Sequence, residues 1–288
     1  MIIATKEIKV QIETINNTKK ITSAMEMVSA SKLRKIQNRM LLSRYYTQKI
    51  TALCIRILTD QNINYKNKYI TLNKKNKKTC YILITSDKGL CGGLNIKVFR
   101  KLLTYINNNK NNYCFCTIGR IGNKFIKKYG GEIVCYIKKI GEYPKTNEFY
   151  NLIKLIIKDY DENNIDCIQI IYNKSINSIK SLPIIKTILP LTRNIKEEII
   201  KKIVYIYETY DFNKLLNNIL TKYVEAQIYQ SVLENITCEQ SARMMAMKKA
   251  TENANNLIID LNNTYNKLRQ ENITQEISEI VNGAAALV

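Results

Sequence analysis

Every proline of this chain and all but one of its glycines lie in its middle. The three prolines and eight of the nine glycines fall between Gly89 and Pro190; residues 1–88 and 191–282 contain neither, and Gly283 follows just after. Glycine and proline are the strongest interruptions of regular local structure. Two uninterrupted ends around an interrupted middle predict two long helices flanking a compact domain. Helix from about Leu216 to Asn282 would span roughly 100 Å at ~1.5 Å per residue. That exceeds the diameter of a small domain, so part of the chain is expected to project as a rod that spans, spaces or transmits.

The 288 residues allow a sizeable core in about one to three domains. No apolar run is long enough to span a bilayer. The start, MIIATKEIKVQIETINN, has neither the apolar stretch of a signal peptide nor the Arg- and Ser-rich character of a transit peptide. A bacterial cytosolic chain beginning near Met1 is therefore expected. Eight cysteines are present without a C-x-x-C pair and without any histidine, which predicts buried, reduced thiols rather than a metal site. The absence of histidine also removes the commonest general base and the Ser–His and Cys–His pairs, which disfavours an enzyme. The net charge of +21 is uneven: residues 1–50 carry +7, residues 51–215 carry +16, and residues 216–288 carry −2. Opposite balances on the two predicted helices suit their pairing with each other or with an acidic partner.

Apolar residues recur at helical spacing along the first segment, as Ile8, Ile12, Ile15, then Ile21, Met25, Val28, then Leu33, Ile36, Met40. Between clusters the phase slips by five or six residues, so the seam is expected to drift around the helix rather than form a strict zipper. The middle alternates strand-like runs (79–86, 113–118, 132–137, 165–172) with helix-like ones (94–106, 123–129, 148–160), the pattern of a mostly parallel α/β sheet. Ile184–Leu189, bracketed by Pro183 and Pro190, and Ile203–Tyr207 are expected as edge strands. In the last segment Leu220, Val224, Ile228 and Val232 form one stripe, and Ile258, Leu261, Tyr265 and Leu268 a coiled-coil-like seam. The predicted division is 1–60 N-terminal helix, 61–78 linker, 79–210 α/β domain and 211–288 C-terminal helix.

Gly89-Leu-Cys-Gly-Gly-Leu-Asn95 sits between a predicted strand and helix, where a phosphate loop would lie. Its G-x-x-G-G spacing is not G-x-G-x-x-G, and no Gly-Lys-Ser/Thr follows, so a tight structural turn is the better reading. A small nucleotide-binding enzyme, motivated by this loop, and a basic nucleic-acid-binding protein, motivated by the charge, are the alternatives on composition and motif alone.

Four blocks carry a more specific signal: Asn17-Thr-Lys-Lys-Ile-Thr-Ser-Ala-Met-Glu-Met-Val-Ser-Ala-Ser-Lys-Leu-Arg34; Ser86-Asp-Lys-Gly-Leu-Cys-Gly-Gly-Leu-Asn95; Tyr223–Gln230 running on through Glu239–Lys248; and Ile273-Thr-Gln-Glu-Ile-Ser-Glu-Ile-Val-Asn-Gly-Ala-Ala-Ala286. In this order they resemble the gamma subunit family of F-type, proton-translocating ATP synthases of bacterial type. The stretch 107–219 matches only loosely. The resemblance implies an α/β fold in which N- and C-terminal helices form a long antiparallel coiled coil on a Rossmann-like domain with a mostly parallel sheet. It implies a non-catalytic rotor shaft without a cofactor, which couples proton flow through the membrane rotor to ATP synthesis and hydrolysis. The implied partners are the alpha and beta subunits of the catalytic ring, the epsilon subunit and the membrane c-subunit ring, and not nucleic acid. The implied location is peripheral, on the cytoplasmic face of the bacterial inner membrane. By position in the motifs, Arg243, Gln270 and Thr274, with Met25 on the other helix, are expected as shaft contacts to the ring. Lys32, Arg34 and Lys35 are expected to meet acidic ring loops, and Tyr205, Tyr207 and Glu208 to lie near the rotor ring. The insertion with a regulatory cysteine pair found in chloroplast-type relatives is not visible, so a thiol switch is not expected.

Overall fold

The computed structural model describes residues 2–59, 69, 78–108, 112–141, 143–177, 180–191 and 212–285. In chain order the elements are α1 (Ile2–Thr59), β1 (Lys78–Ile84), α2 (Leu94–Asn108), β2 (Asn112–Ile118), α3 (Arg120–Tyr129), β3 (Ile133–Ile137), a 3-10 turn (Thr146–Phe149), α4 (Tyr150–Asp161), β4 (Cys167–Ser175), β5 (Ser181–Leu189) and α5 (Phe212–Ala285). They fall into two compact units, Met1–Ala30 with Arg243–Val288, and Ser31–Ala242. The candidates Tyr205, Tyr207 and Glu208, and the strand expected over 203–207, lie outside the described residues.

The unit Ser31–Ala242 is built on a five-stranded sheet in the order β3-β2-β1-β4-β5. The β1–β2, β1–β4 and β2–β3 pairs are parallel, and β4–β5 is antiparallel. The central strand β1, KTCYILI, is buried at all but its first residue, as an apolar run covered on both faces must be. Alternation sends Tyr81 and Leu83 to one face, against Val98 and Leu102 of α2 and Ile126 of α3. Cys80, Ile82 and Ile84 go to the other, against Leu152 and Ile156 of α4, Ile36 and Cys54 of α1, and Val224, Ile228 and Val232 of α5. The result is a three-layer sandwich in which the two long helices, with α4, form one layer.

Several expected boundaries move, each for a local reason. α3 begins at Arg120 rather than Asn123, because Gly119 and Gly122 let the turn close tightly on β1. A Cβ at Gly119, whose φ is 103°, would stand 2.3 Å from the Thr85 carbonyl oxygen, and one at Gly122 2.7 Å from Thr85 Oγ1. β4 starts at Cys167, after Asp166 has clamped the approach: its N–H donates to the Lys78 carbonyl at 2.9 Å, and its carboxylate accepts the Lys78 N–H at 3.2 Å. β5 starts at Ser181 and contains Pro183, which is tolerated because β5 is an edge strand.

The expected drift of the α1 seam does not occur. In the unit Ser31–Ala242 the covered positions of α1 are Leu33, Ile36, Met40, Ser43, Thr47, Ile50, Cys54 and Ile57, an unbroken 3-4 heptad pattern. In the other unit they are Ile8, Ile12, Ile15, Lys19, Thr22, Glu26 and Ser29, again in heptad spacing. Ile21 and Val28 are exposed, at 61% and 51%. Polar and small residues hold the middle of the seam, so the apolar pattern slips while the buried face does not. Thr22 and the facing Thr251 of α5 bond hydroxyl to hydroxyl at 2.8 Å, a contact that only small side chains permit.

Candidate functional site

The loop Gly89–Asn95 follows β1 at the point where strand order reverses between β1 and β4, the position at which open α/β sheets bind ligands. Here the crevice is filled from within. The Asn95 side-chain carbonyl accepts the Ser86 N–H at 3.3 Å, and its amide donates to Ser86 Oγ at 2.7 Å. Ser86 Oγ in turn donates to the Lys88 carbonyl at 2.9 Å. The Asp87 carboxylate accepts the Arg120 N–H at 2.9 Å and the Ile140 N–H at 2.8 Å, so it ties the ends of β1, β2 and β3 together rather than facing a substrate. Helix α5 closes the remaining side. Cys91 and Leu94 pack on Cys238. Cys238 Sγ donates to the Asn173 carbonyl at 3.3 Å, and Asn235 Oδ1 accepts from the N–H and side-chain amide of Asn173 at 3.3 and 3.1 Å. The place of a nucleotide is taken by the long helix itself.

Cys54, Cys167 and Cys238 read as packing. Burial pushes the thiols of Cys54 and Cys238 up to about 12 and that of Cys167 to about 11. Thiols held that far above neutrality supply little thiolate for chemistry. Among the described residues no group of three or more Cys, Asp or Glu side chains is arranged to hold a metal ion.

Sequence reasoning missed a buried polar network that joins α1, α5 and β5. Glu234, 3% exposed, accepts from Arg44 of α1 at 3.0 Å and from Gln230 one turn back at 3.0 Å, while its second oxygen has no protein partner. Lys186 of β5 donates to Gln227 at 2.7 Å, and Gln227 donates to Thr51 of α1 at 2.8 Å. Thr47 donates to the Ala226 carbonyl at 3.3 Å. The pairings 44–234 and 51–227 run α1 and α5 antiparallel in this unit. Burial lowers the Lys186 ammonium below the ordinary lysine range, with the Glu234 charge opposing the shift. Buried polar contacts of this kind fix rotation and register, which apolar contact alone leaves soft. The sequence signal was the cluster Gln227, Gln230, Glu234 and Asn235, polar residues at i, i+3, i+7 and i+8 on one side of the helix, next to the apolar stripe Val224, Ile228 and Val232.

The expected contact residues divide by unit. In the unit containing both chain ends, Gln270 and Thr274 are exposed on α5, the Thr274 hydroxyl donating to the Gln270 carbonyl at 2.9 Å, and Met25 of α1 is half-buried. Arg243 differs: only 8% of it is exposed. In the unit Ser31–Ala242, Arg34 and Lys35 are exposed and Lys32 is half-buried. No described helix is long and apolar enough to cross a membrane.

The crevice in which a nucleotide would lie is closed by the chain's own side chains, and the described contact candidates lie along the two long helices. Comparison with known proteins specifies the family. A family model described as ATP synthase matches residues 4–287. The ATP synthase gamma chain of Coxiella burnetii (strain CbuG_Q212) is 41% identical over 285 residues, 98% of each chain. A chain of the Euglena gracilis mitochondrial ATP synthase, solved as OSCP/F1/c-ring in rotational state 3, superposes with a TM-score of 0.68 at 18% identity, covering 99% of this chain and 94% of that one. A chain of the Tetrahymena thermophila mitochondrial ATP synthase, solved as central stalk and c-ring, gives 0.59 at 22%, covering 80% and 99%. At those identities the solved structures establish the fold. The chain belongs to the ATP synthase gamma-chain family, whose members are non-catalytic subunits forming the central stalk, or rotor shaft, of the enzyme.

Proposed function

We propose that this chain turns inside a ring of alternating alpha and beta subunits and couples proton flow through a membrane c-subunit ring to ATP synthesis and hydrolysis. The observation that carries this reading is the change of surroundings along α5. Residues 223–241 are sheathed by the sheet domain, whereas residues 269–282 stand almost wholly exposed, with no glycine or proline anywhere in 212–282. A helix held at one end and bare at the other can carry torque to a surface it does not itself possess, and the absence of interior glycine and proline keeps it stiff.

Gln270 and Thr274 lie on the bare run and, with Met25, are the proposed contacts to a catalytic beta subunit. Arg243 contributes there from a largely covered position. Lys32, Arg34 and Lys35 face acidic loops of the ring, and Tyr205, Tyr207 and Glu208 belong to the end near the c-ring and the epsilon subunit. Contacts of this kind act by differing between catalytic conformations, because only differential contact shifts an equilibrium. The chain is held to the cytoplasmic face of the bacterial inner membrane through the complex rather than by a span of its own.

Reconstitution with the matching alpha and beta subunits tests this. The assembly is expected to hydrolyse ATP cooperatively, and the purified chain alone not at all. A folded chain that does not co-assemble would end the stalk reading. Within the assembly, Arg243→Ala or Gln270→Ala is expected to weaken coupling or turnover without unfolding the chain, and unchanged coupled synthesis would remove that residue from the contact set.

A further inference from the structure

In the unit Ser31–Ala242, α1 has a second apolar face that is left exposed among the described residues. Leu41, Leu42, Tyr45 and Tyr46 are 55%, 74%, 64% and 52% exposed. At i, i+1, i+4 and i+5 they occupy two successive turns on the side of the helix opposite the Leu33–Ile57 seam. Large apolar side chains exposed singly need no explanation, but four in one ridge form a patch of the kind that marks an interaction site. The surrounding charge has one sign. Residues 31–59 contain seven Lys and Arg and not one Asp or Glu. Arg39 lies over the Tyr143 ring at 4.4 Å and Lys49 over the Tyr45 ring at 5.2 Å, so cations stand at both ends of the ridge. The neighbouring carboxylate of Glu225 on α5 is taken up by Lys222 at 2.9 Å.

We propose that this ridge is a docking surface for an acidic amphipathic helix of another protein, seated with its apolar face on Leu41, Leu42, Tyr45 and Tyr46 and its carboxylates toward Arg39 and Lys49. An apolar centre with a charged rim is the anatomy of a protein–protein interface, and tyrosine and arginine are its usual anchors. Ridges at i±4 spacing accept the ridges of a second helix. The charge excludes a second copy of this chain, which would bring the same seven cations to the contact. Nucleic acid fits the cations but leaves Leu42 against a polar surface, since such interfaces are polar throughout. An anionic bilayer requires the helix to sink about 5–10 Å, and Tyr143 with its stacked Arg39, and the Lys222–Glu225 pair, stand beside the ridge.

Photo-crosslinking in the assembled complex tests this. Leu42 is replaced by p-benzoylphenylalanine, the purified complex is irradiated, and the adduct is mapped by mass spectrometry. The expected adduct is a single segment of another subunit with Leu, Ile or Val at helical spacing and several Asp or Glu. In parallel, a synthetic four-turn helix with a leucine ridge flanked by glutamates is titrated against the full-length chain. Its affinity is expected to fall at least tenfold on Leu42→Glu or Lys49→Glu, and to fall with added salt, while circular dichroism stays unchanged. A charge-reversed peptide with lysine flanks is expected not to bind. The proposal is overturned by no adduct at position 42, by an adduct to lipid, nucleic acid, a basic segment or a second copy, or by the glutamate peptide binding both variants as well as the parent. Tighter binding to phosphatidylglycerol vesicles or to oligo-dT than to the peptide overturns it equally.

Discussion

Residues 223–241 and 269–282 are two runs of one helix, yet their burial is inverted relative to their chemistry. In the first run every residue is buried except Glu225, Tyr229 and Glu239, which are half-buried, so Gln227, Gln230, Ser231, Glu234, Asn235, Thr237 and Gln240 are interior residues. In the second run every residue is exposed except Asn272, and Ile273, Ile277, Ile280 and Val281 face solvent at 45–71%. An ordinary surface helix hides its apolar stripe and displays its polar one. Here Gln227, Glu234 and Asn235 of the first run fix the helix to α1, β4 and β5, whereas the apolar groups of the second are left exposed among the described residues. On the function proposed above, the difference separates an anchor from a working surface.

The comparison breaks most visibly if truncations in the anchor are cheap. Ile228 is 0% exposed among Val224, Val232 and the sheet, and Ile228→Ala is expected to cost about 2–5 kcal/mol in urea unfolding. Glu234→Ala strands the Arg44 guanidinium and leaves Gln230 without its acceptor. Losing one member of a buried pair costs roughly 3–5 kcal/mol, and the lower end applies because the Arg44 side chain is 36% exposed. If either substitution changes the unfolding midpoint no more than a surface change does, the run 223–241 is not the anchor.

Next in size is Gly122→Ala. The added Cβ would approach Thr85 Oγ1 at 2.7 Å and Thr85 Cγ2 at 2.9 Å, and would displace the hydroxyl that accepts the Gly122 N–H at 2.8 Å. Overpacking of this kind costs about 1–3 kcal/mol. A neutral result in the same unfolding assay would mean that α3 can retreat from β1 freely.

The working run predicts the opposite dissociation of effects. Ile277→Asp is expected to move stability by less than about 0.5 kcal/mol, because Ile277 is 57% exposed. Coupled ATP synthesis by the assembled enzyme is nonetheless expected to drop. A stability loss of several kcal/mol, or undiminished coupling, would show that the bare run is bare without being used.

What was legible in the sequence follows the same division. The strand runs of β1 and β4 were readable because apolar residues covered on both faces leave a continuous signature. The two long helices were readable from missing glycine and proline. The family blocks were readable because they are specific, and they included Arg243 and Thr274. The α1 seam was misread because Lys19, Thr22, Glu26 and Ser29 sit where apolar residues were counted, and a periodicity argument weighs hydrophobicity rather than closeness of approach. The Glu234 network was invisible for a related reason: a polar residue on a helix reads as solvent-facing until a sheet and a second helix are known to lie against it. That Gly89–Asn95 is a tight structural turn was legible from its spacing, but its packing against Cys238, far along the chain, belongs to tertiary structure alone.

The smallest expected effect concerns pH and tests whether the anchor's polar groups are held as tightly as the geometry indicates. Lys186 is lowered from the ordinary lysine value of 10.5, chiefly by burial. The unfolded chain therefore binds this proton at pH values where the folded chain has begun to release it. Stability contributed by this group rises with pH wherever the unfolded state holds more protons. The penalty for burying the ammonium is fully present below the folded pKa and fades as pH climbs toward 10.5. Buried tyrosines such as Tyr172 and Tyr223, raised by burial, act in the opposite sense above about 10, where the unfolded chain ionises first. The signal is thus the difference between the parent and Lys186→Met, measured by urea unfolding between pH 7 and 9.5. The parent is expected to gain stability relative to the variant across that window. A flat difference would mean that water reaches Lys186 and that the β5 end of the anchor is looser than its 2.7 Å bond to Gln227 implies.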